Sequence, residues 1–457
     1  MAPNALRYTG RTSAHITMQE IDTLIQARWI IPVEPERCVL EHQALAVDKG
    51  RIVAILDSRE ATARYQPAET VNLHHHALIP GLVNAHTHAA MTLFRGMADD
   101  LVLAEWLQGH IWPAETTWVS PDFVRDGALL SIAEMLKSGT TCFNDMYFFP
   151  DVVARAAAET GIRACIGLIL IDFPTAWAQT AQEYLDKGLA LHDELRHSGL
   201  VRTAFAPHAP YTVSDAPLEK VRVLADELDL PVHMHVHETA HEIEESLARC
   251  GMRPLERLDR LGLLNPHLLA VHMTQLQPEE IATIAARGVH VVHCPESNLK
   301  LGSGFCEVAR LLAAGVNVAL GTDGAASNND LDMLVEMRTA ALLAKGVSRD
   351  PTAVPAHTAL RLATLNGARA LGLDDTIGSL VPGKAADVTA IDLSHLSCQP
   401  VYDAASQIVY AASRDQVTDV WVAGRRMLKN GEFTTLDPHA ILRRTVEWGR
   451  KIQEARG

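Results

Sequence analysis

The chain has 457 residues, of which 48% are hydrophobic, so it can build a large buried core. Its net charge is −15, and no cluster of lysines and arginines interrupts that balance, which argues against binding of nucleic acid or an anionic membrane. The opening residues, MAPNALRYTGRTSAH, lack the apolar segment of a signal peptide, and no stretch of 18 apolar residues predicts a membrane span. The seven cysteines form no C-x-x-C pair. We therefore expect a cytoplasmic protein with free thiols.

From about Pro80 to Gly324, short apolar runs alternate with longer segments whose apolar residues recur at i, i+3 and i+4. Residues 126–139, 214–230 and 277–288 are examples of such predicted helices. Eight strands alternating with helices are typical of a parallel (β/α)8 barrel in the α/β class. The predicted strands are LIPGLVNAHTH (78–88), TTCFNDM (140–146), IRACIGLIL (162–170), VRTAFAPHAP (201–210), PVHMHVHE (231–238), LLAVHM (268–273), HVVHCP (290–295) and NVALGTDG (317–324).

The two ends of the chain have a different pattern. Residues 44–58 form two β-rich runs around a DKG turn, which predicts a hairpin, and residues 378–394 and 417–433 look similar. We infer a small β-sandwich domain built from both termini. The predicted division is 1–77 for its N-terminal part, 78–377 for the barrel, and 378–457 for its C-terminal part with a terminal helix.

Polar, chemically active residues follow the predicted barrel strands at their carboxyl ends, the face on which barrel active sites lie. His86 and His88 are two residues apart on the first strand, so both can point into the barrel mouth. The full set is His86, His88, Asp145, His208, His235, Glu238, His272, His293 and Asp323.

Four of these residues form the best set of metal ligands: His86, His88, His235 and Asp323. Any one of them alone is more simply interpreted as an ordinary hydrogen-bonded histidine or carboxylate, but four in register at strand ends favour a metal. Three imidazoles and a carboxylate suit catalytic zinc, and Fe²⁺ or Mn²⁺ could occupy the same ligands.

Six segments of the chain form a distinctive set: PGLVNAHTH, HMHVHETAHE, AVHMTQL, HCPESNLKLGSG, LGTDGAASNN and GSLVPGKAADV. They resemble the amidohydrolase superfamily and, more narrowly, its 5-methylthioadenosine/S-adenosylhomocysteine deaminase family. The similarity covers about residues 20 to 435. It implies a metal-bearing barrel with a β-sandwich from both termini, one zinc ion per subunit, and a small nucleoside as substrate, and it allows a homo-oligomer. The end of the fourth strand independently offers His208 and no lysine that could bridge two metals.

The resemblance implies a hydrolytic deaminase in which a metal-activated water attacks C6 of adenine. Glu238, three residues after His235, is placed to take the proton of that water and deliver it to a ring nitrogen. Asp323 can hold the second proton, and His272 can orient the water. The alternative for Glu238 is a helix N-terminal carboxylate stabilised by the helix dipole. The thiolate signature of the small deaminase fold is absent.

For the substrate, the resemblance implies that Glu115 binds the ribose hydroxyls, that Trp106 packs near the 5′ substituent, and that His208 contacts the nucleoside. Glu238 and Asp323 would also contact the base. A carboxylate is a good acceptor for two adjacent hydroxyls, although Glu115 could equally be a surface-loop residue.

The sequence departs from the family in and after the third strand, where members that act well on S-adenosylhomocysteine carry arginines. Here Arg163 stands at the start of that strand, and the next arginine is Arg196. Phe173, Pro174 and Trp177 make the loop apolar. We therefore expect a preference for 5′-methylthioadenosine over S-adenosylhomocysteine.

Two alternatives to this function remain open at the level of sequence. The first is a guanine deaminase, or an s-triazine aminohydrolase or chlorohydrolase, on the same mononuclear site, and the second is a non-catalytic scaffold. Among the remaining histidines, we interpret His74 to His76 as a solvated turn between domains and His233 as a core residue.

Overall fold

Eight parallel strands form the centre of the protein in the computed structural model, which describes residues 18–456. They are hydrogen-bonded in sequence order, and the barrel closes where the Asp323 N–H, just after the last strand, donates to the His86 carbonyl on the first strand at 3.0 Å. The predicted (β/α)8 architecture is confirmed. The barrel strands are β5 (Leu82–Thr87), β6 (Thr140–Asp145), β7 (Arg163–Leu170), β8 (Val201–Pro207), β9 (Val232–Val236), β10 (Leu268–His272), β11 (His290–His293) and β12 (Val318–Leu320).

The chain termini build a second, mixed sheet, as predicted. Its eight strands lie in the order β16-β15-β14-β13-β4-β1-β2-β3, so N-terminal and C-terminal segments meet at the β4–β13 pair. These strands are β1 (Gln19–Ile30), β2 (Leu40–Asp48), β3 (Arg51–Asp57), β4 (Tyr65–Pro80), β13 (Val388–Asp392), β14 (Val417–Val422), β15 (Arg425–Lys429) and β16 (Glu432–Phe433).

Helices surround the barrel, whereas the first of them packs on β1 to β4 of the second sheet. They are α1 (Ser58–Arg64), α2 (Leu103–Glu105), α3 (Trp112–Trp118), α4 (Pro121–Lys137), α5 (Pro150–Thr160), α6 (Ala181–Leu195), α7 (Asp215–Leu228), α8 (Ala240–Cys250), α9 (Pro254–Arg260), α10 (Pro278–Arg287), α11 (Pro295–Lys300), α12 (Val308–Ala313), α13 (Met333–Ser348), α14 (Ala356–Leu362), α15 (Leu365–Ala370), α16 (Ala404–Tyr410) and α17 (Pro438–Arg456). Shorter 3₁₀ turns lie at Ala89–Phe94, Leu396–Cys398 and Arg414–Gln416, and a π-helical stretch, Trp106–Ile111, joins α2 to α3. Within residues 18–456, no helix has both the length and the hydropathy needed to cross a membrane.

The structure corrects three details of the terminal segments. Residues 78–80 belong to the end of β4, so the first barrel strand begins later than expected, at Leu82. Residues 378–394 contain a single strand, β13, because residues 383–386 instead bond across to the β2–β3 turn and β3. His74 to His76 lie inside β4 rather than in a turn. The domain limits 77/78 and 377/378 stay predictions, and residues 1–17 lie outside the described residues.

A buried ion pair connects the barrel to the second sheet. Arg163, at the start of β7, donates from Nε and Nη2 to the two carboxylate oxygens of Asp387, at 2.9 and 3.0 Å. Asp387 also accepts the Ala423 N–H at 2.7 Å. Arg163 therefore lies at the end of the barrel opposite the strand-end residues, as the sequence predicts, and its partner is structural.

Arg163→Met is expected to lower the free energy of unfolding by about 3–5 kcal/mol, because it leaves the Asp387 carboxylate buried without its partner. Urea unfolding would measure this, and turnover per folded molecule should not change. The matched control is Arg155→Met, because the Arg155–Asp151 pair is exposed and should contribute at most about 1 kcal/mol. An equal loss in both variants would contradict the structural assignment of Arg163.

Candidate active site

Three imidazoles and one carboxylate converge at the carboxyl-terminal face of the barrel. His86 and His88 come from the end of β5, His235 from β9, and Asp323 from the turn after β12, and one donor atom from each lies within 4.8 Å of all the others. Asp323 Oδ1 is 3.2 Å from Nε2 of both His86 and His88, and the Nε2 atoms of His235 and His86 are 3.3 Å apart. Ligands of one zinc ion lie about 2.0–2.2 Å from it and so at most about 4.4 Å from one another, and these three separations therefore suit a single ion.

The other ring nitrogens of the first two histidines are engaged by neighbours. The His88 Nδ1–H donates to the Met146 carbonyl at 2.5 Å, and His86 Nδ1 lies 2.7 Å from His233 Nε2. These contacts orient the rings so that each Nε2 faces the cluster, as outer contacts do at metal sites. His233 is therefore not only a core histidine, because its contact with His86 fixes the orientation of that ring.

Asp323 is held by two hydroxyl groups, one from helix α11 and one from the turn that follows Asp323. Ser297 and Ser327 donate to its Oδ2 at 2.6 and 2.9 Å, which leaves Oδ1 directed at the histidines. Burial by itself would raise the pKa of Asp323, but hydrogen bonds from His86 and His88 bring it well below its usual range. The residue is therefore an ionised carboxylate.

The turn that carries Asp323 needs an unusual backbone. Asp323 has a φ of 61°, a conformation that side chains other than glycine rarely adopt and that clusters at functional sites. Gly321, just before it, lies so close to β5 that an added Cβ would be 2.8 Å from the Cβ of His86. Only glycine allows the two strands to approach closely enough to bring Asp323 to the histidines.

Glu238 lies beside the four donor atoms and is buried, with 5% of its surface exposed. Its Oε2 is 3.7 Å from Nε2 of His272, whose Nδ1–H donates to the side-chain oxygen of Asn298 at 2.9 Å. Burial, with a further contribution from Asp323, raises the pKa of Glu238 to about 8. A carboxyl group with a pKa near neutrality suits both uptake and release of a proton.

A cavity of about 450 Å³ opens above this cluster, and Trp106, Glu115 and His208 line it together with His88, His235, Glu238, His272 and Asp323. Glu115 accepts a hydrogen bond from the Tyr147 hydroxyl at 2.8 Å, and burial raises its pKa to about 7. Glu115 is thus not a surface-loop residue. The predicted substrate-contact and proton-transfer residues thus line one cavity with three of the four metal-ligand candidates, and His86 joins them through the ligand cluster, whereas Asp145 and His293 do not line the cavity.

Other residues near the site have supporting contacts. Asp145 accepts the Ala89 N–H at 2.6 Å next to the first metal-ligand candidates. His237 accepts the Leu255 N–H through Nε2 at 3.2 Å, so it secures the loop to α9. Sequence reasoning missed Tyr147, Ser327 and Glu242. For Glu242 a signal existed, because Thr239 and Glu242 have the T-x-x-E spacing of a helix N-terminal capping box.

Residues 77–427 match the model of the Amidohydrolase family, which is most of the chain. The chain therefore belongs to the amidohydrolase family. It is 50% identical to a 5-methylthioadenosine/S-adenosylhomocysteine deaminase of Teredinibacter turnerae over 94% of this chain and 98% of that protein. It is also 50% identical to a protein of the same name from Saccharophagus degradans, over 95% and 98% of the two chains.

Two solved structures are also similar to this chain over most of its length. An adenosine deaminase from Xanthomonas campestris with bound zinc is 55% identical, with a TM-score of 0.95, and the match covers 96% of this chain and 100% of that one. The atrazine chlorohydrolase TrzN from Arthrobacter aurescens TC1, complexed with zinc, is 25% identical with a TM-score of 0.87, over 93% and 100% of the two chains.

Proposed function

We propose that the protein is a zinc-dependent hydrolytic deaminase that converts 5′-methylthioadenosine, and more slowly S-adenosylhomocysteine or adenosine, to the inosine analogue and ammonia. The observation that carries this proposal is the position of Glu238 beside four convergent metal-ligand candidates, in a cavity that also contains Glu115. The names of the relatives and the zinc in the Xanthomonas campestris structure support it.

The metal ligands in this proposal are His86, His88, His235 and Asp323. The separations of 3.2 and 3.3 Å between their donor atoms suit zinc-ligand distances, and the mixture of imidazole and carboxylate suits that ion. A zinc ion bound there would lower the pKa of a coordinated water from 15.7 towards about 7. One ion per chain is proposed, since no lysine lines the cavity among the described residues.

In this proposal, side chains of the protein transfer both protons of the attacking water. Glu238 takes the proton of the attacking water and passes it to the neighbouring ring nitrogen, so that C6 can become tetrahedral. His272 orients the water through Nε2, because its Nδ1–H is committed to Asn298. Asp323 holds the second proton, which leaves with ammonia.

The ribose binds to Glu115 in this proposal, with Tyr147 holding one carboxylate oxygen and the other free for the hydroxyls. His208 lies on the same cavity wall and contacts the nucleoside. Trp106, Phe173 and Pro174 give the cavity an apolar side that suits a methylthio group.

The preference for 5′-methylthioadenosine rests on where the arginines are. No arginine lines the active-site cavity among the described residues. Arg249 and Arg257 border a larger neighbouring cavity of about 1040 Å³, but both already donate to the Pro210 carbonyl, and Arg257 also pairs with Asp215. Arg257 has all three of its side-chain nitrogens engaged, and Arg249 borders the neighbouring cavity rather than the active-site cavity.

The test is ammonia release from the zinc-loaded protein with 5′-methylthioadenosine, S-adenosylhomocysteine, adenosine, guanine and a chloro-s-triazine, with chloride release also followed for the last. We expect 5′-methylthioadenosine to have the highest kcat/KM. Higher kcat/KM for S-adenosylhomocysteine would overturn the loop argument and point to Arg249 in the neighbouring cavity. A ribose-free ring in first place would overturn the nucleoside assignment and support the guanine deaminase or triazine hydrolase alternative.

Acidification below pH 7 is expected to raise KM for 5′-methylthioadenosine, because Glu115 accepts two ribose hydroxyls only as a carboxylate and burial raises its pKa to about 7. Tyr147→Phe removes a hydrogen bond that lowers this pKa, so the rise in KM should begin at higher pH. Steady-state kinetics between pH 5.5 and 8.5 would measure both, with a 2′,3′-dideoxy analogue as the control. A KM for that analogue with the same pH dependence would contradict the assignment.

We further propose that the protein works in the cytoplasm without nucleic-acid partners, as a monomer or homo-oligomer. All seven cysteines are free, five of them buried, which suits a reducing compartment. The net charge of −15 is unfavourable for contact with phosphate backbones.

A further inference from the structure

The loop that carries Glu238 has two backbone N–H groups bound by one buried side chain. Glu242, in the first turn of α8, is 4% exposed. Its Oε1 accepts the His237 N–H at 3.1 Å, and its Oε2 accepts the Glu238 N–H at 2.7 Å. Each carboxylate oxygen therefore holds one amide of the loop.

The same two residues are also held from the opposite side. The Thr274 hydroxyl donates to the Glu238 carbonyl at 2.7 Å, and the Thr274 N–H donates to the His237 carbonyl at 3.0 Å. His237 has a φ of 53°, so the chain passes through an unfavourable conformation immediately before Glu238. Such a conformation persists only where the surroundings determine it fully.

The Glu238 carboxylate itself has no hydrogen bond within the described part of the chain, and its nearest ionisable partner is His272 Nε2 at 3.7 Å. Its direction is therefore set by the backbone from which it extends. A small rotation of the 237–238 peptide would move the carboxylate oxygens away from the donor atoms of the four metal-ligand candidates.

We propose that Glu242 is a positioning residue for proton transfer: its two oxygens fix the 237–238 backbone and so aim Glu238 at the attacking water. This inference rests on the proposed function of Glu238. Glutamate suits the position because two N–H groups need two acceptors. Glutamine would offer one acceptor and present an NH₂ group to the other N–H, and aspartate is shorter by one methylene.

The experiment compares Glu242→Gln with Thr239→Ala in the zinc-loaded protein, using the best nucleoside substrate. Thr239 caps the same helix by accepting the Glu242 N–H at 3.3 Å, but it does not bind the amides of residues 237 and 238. We expect Glu242→Gln to lower kcat by about 10–100-fold with KM and zinc content unchanged, because small misplacement of a reacting group has effects of this size. Thr239→Ala should lower the melting temperature with little change in kcat.

A double-mutant cycle separates positioning from general loosening. In the Glu238→Gln background, Glu242→Gln should cause no further loss of kcat, since Glu242 acts through Glu238. Multiplicative losses, or an equal loss of kcat in Thr239→Ala, would overturn the proposal and leave Glu242 as a helix cap. An inactive wild-type protein would instead refute the proposed function.

A second variant keeps the test decisive if Glu242→Gln does not fold. Thr274→Val removes the hydroxyl that holds the Glu238 carbonyl while nearly preserving the shape of the side chain. It should lower kcat about tenfold, lose that effect in the Glu238→Gln background, and leave KM unchanged. A wild-type kcat in Thr274→Val would overturn the proposal.

Discussion

Glu238→Gln is expected to lower kcat for 5′-methylthioadenosine by about 10³-fold while zinc content and KM stay close to those of the wild type. The amide cannot take a proton from water or return it to the ring, yet it has the size of the carboxylic acid. Because Glu238 is buried and has a pKa raised to about 8, the wild-type group is a stronger base than an exposed carboxylate. Steady-state kinetics and metal analysis of the purified variant would measure the effect.

The matched control is Glu244→Gln, because this substitution makes the same chemical change at an exposed position of the neighbouring helix α8, outside the cavity. It should retain wild-type kcat. A Glu238→Gln protein that kept more than about a tenth of the wild-type kcat would assign the proton transfers to another group, of which His272 is the nearest.

The sequence contained enough information to predict the barrel and the face on which the candidate site residues lie. Eight apolar runs, separated by segments with helical periodicity, predict the order of the barrel strands. Two histidines that are two residues apart at a strand end must point to the same face of that strand. These are local patterns. His86, His235 and Asp323 could be placed at one face because the carboxyl ends of parallel strands always meet there.

The supporting contacts could not be predicted because they depend on how distant segments meet. His233 bonds to His86 across 147 positions of sequence, and no local pattern distinguishes it from a core histidine. Tyr147 reaches Glu115 only because the π-helical stretch leads into α3 above the cavity. The positive φ of Asp323 follows from barrel closure against β5 rather than from the residue's own preference.

The prediction of a hairpin at 378–394 is wrong for the same reason, because its strand partners are distant in sequence. Its VPGK segment has the composition of a hairpin turn, and the run VTAI follows it with β-forming residues. In the structure, however, residues 383–386 find hydrogen-bond partners at Gly50 and Ile52, more than 300 positions earlier in the chain. A turn signal predicts that the chain reverses and does not identify the strand it then meets.

Removal of zinc is expected to abolish deamination, and one equivalent of zinc per chain should restore it. The convergence of the four donor atoms is the structural reason, together with the contacts that hold His86 and His88 with Nε2 towards the cluster. Dialysis against a chelator, followed by titration with zinc while ammonia release and metal content are recorded, would measure the stoichiometry.

His235→Ala should lose both the ion and the activity, whereas His241→Ala, which changes an exposed histidine near the same loop, should lose neither. The wild-type protein should also melt at a lower temperature without zinc, because an ion that binds only the folded state stabilises it. Full activity after chelation would contradict the metal assignment. Two ions per chain would contradict the mononuclear site, and a second ion would then need ligands besides the four, for which His208 and Glu238 on the cavity wall are candidates.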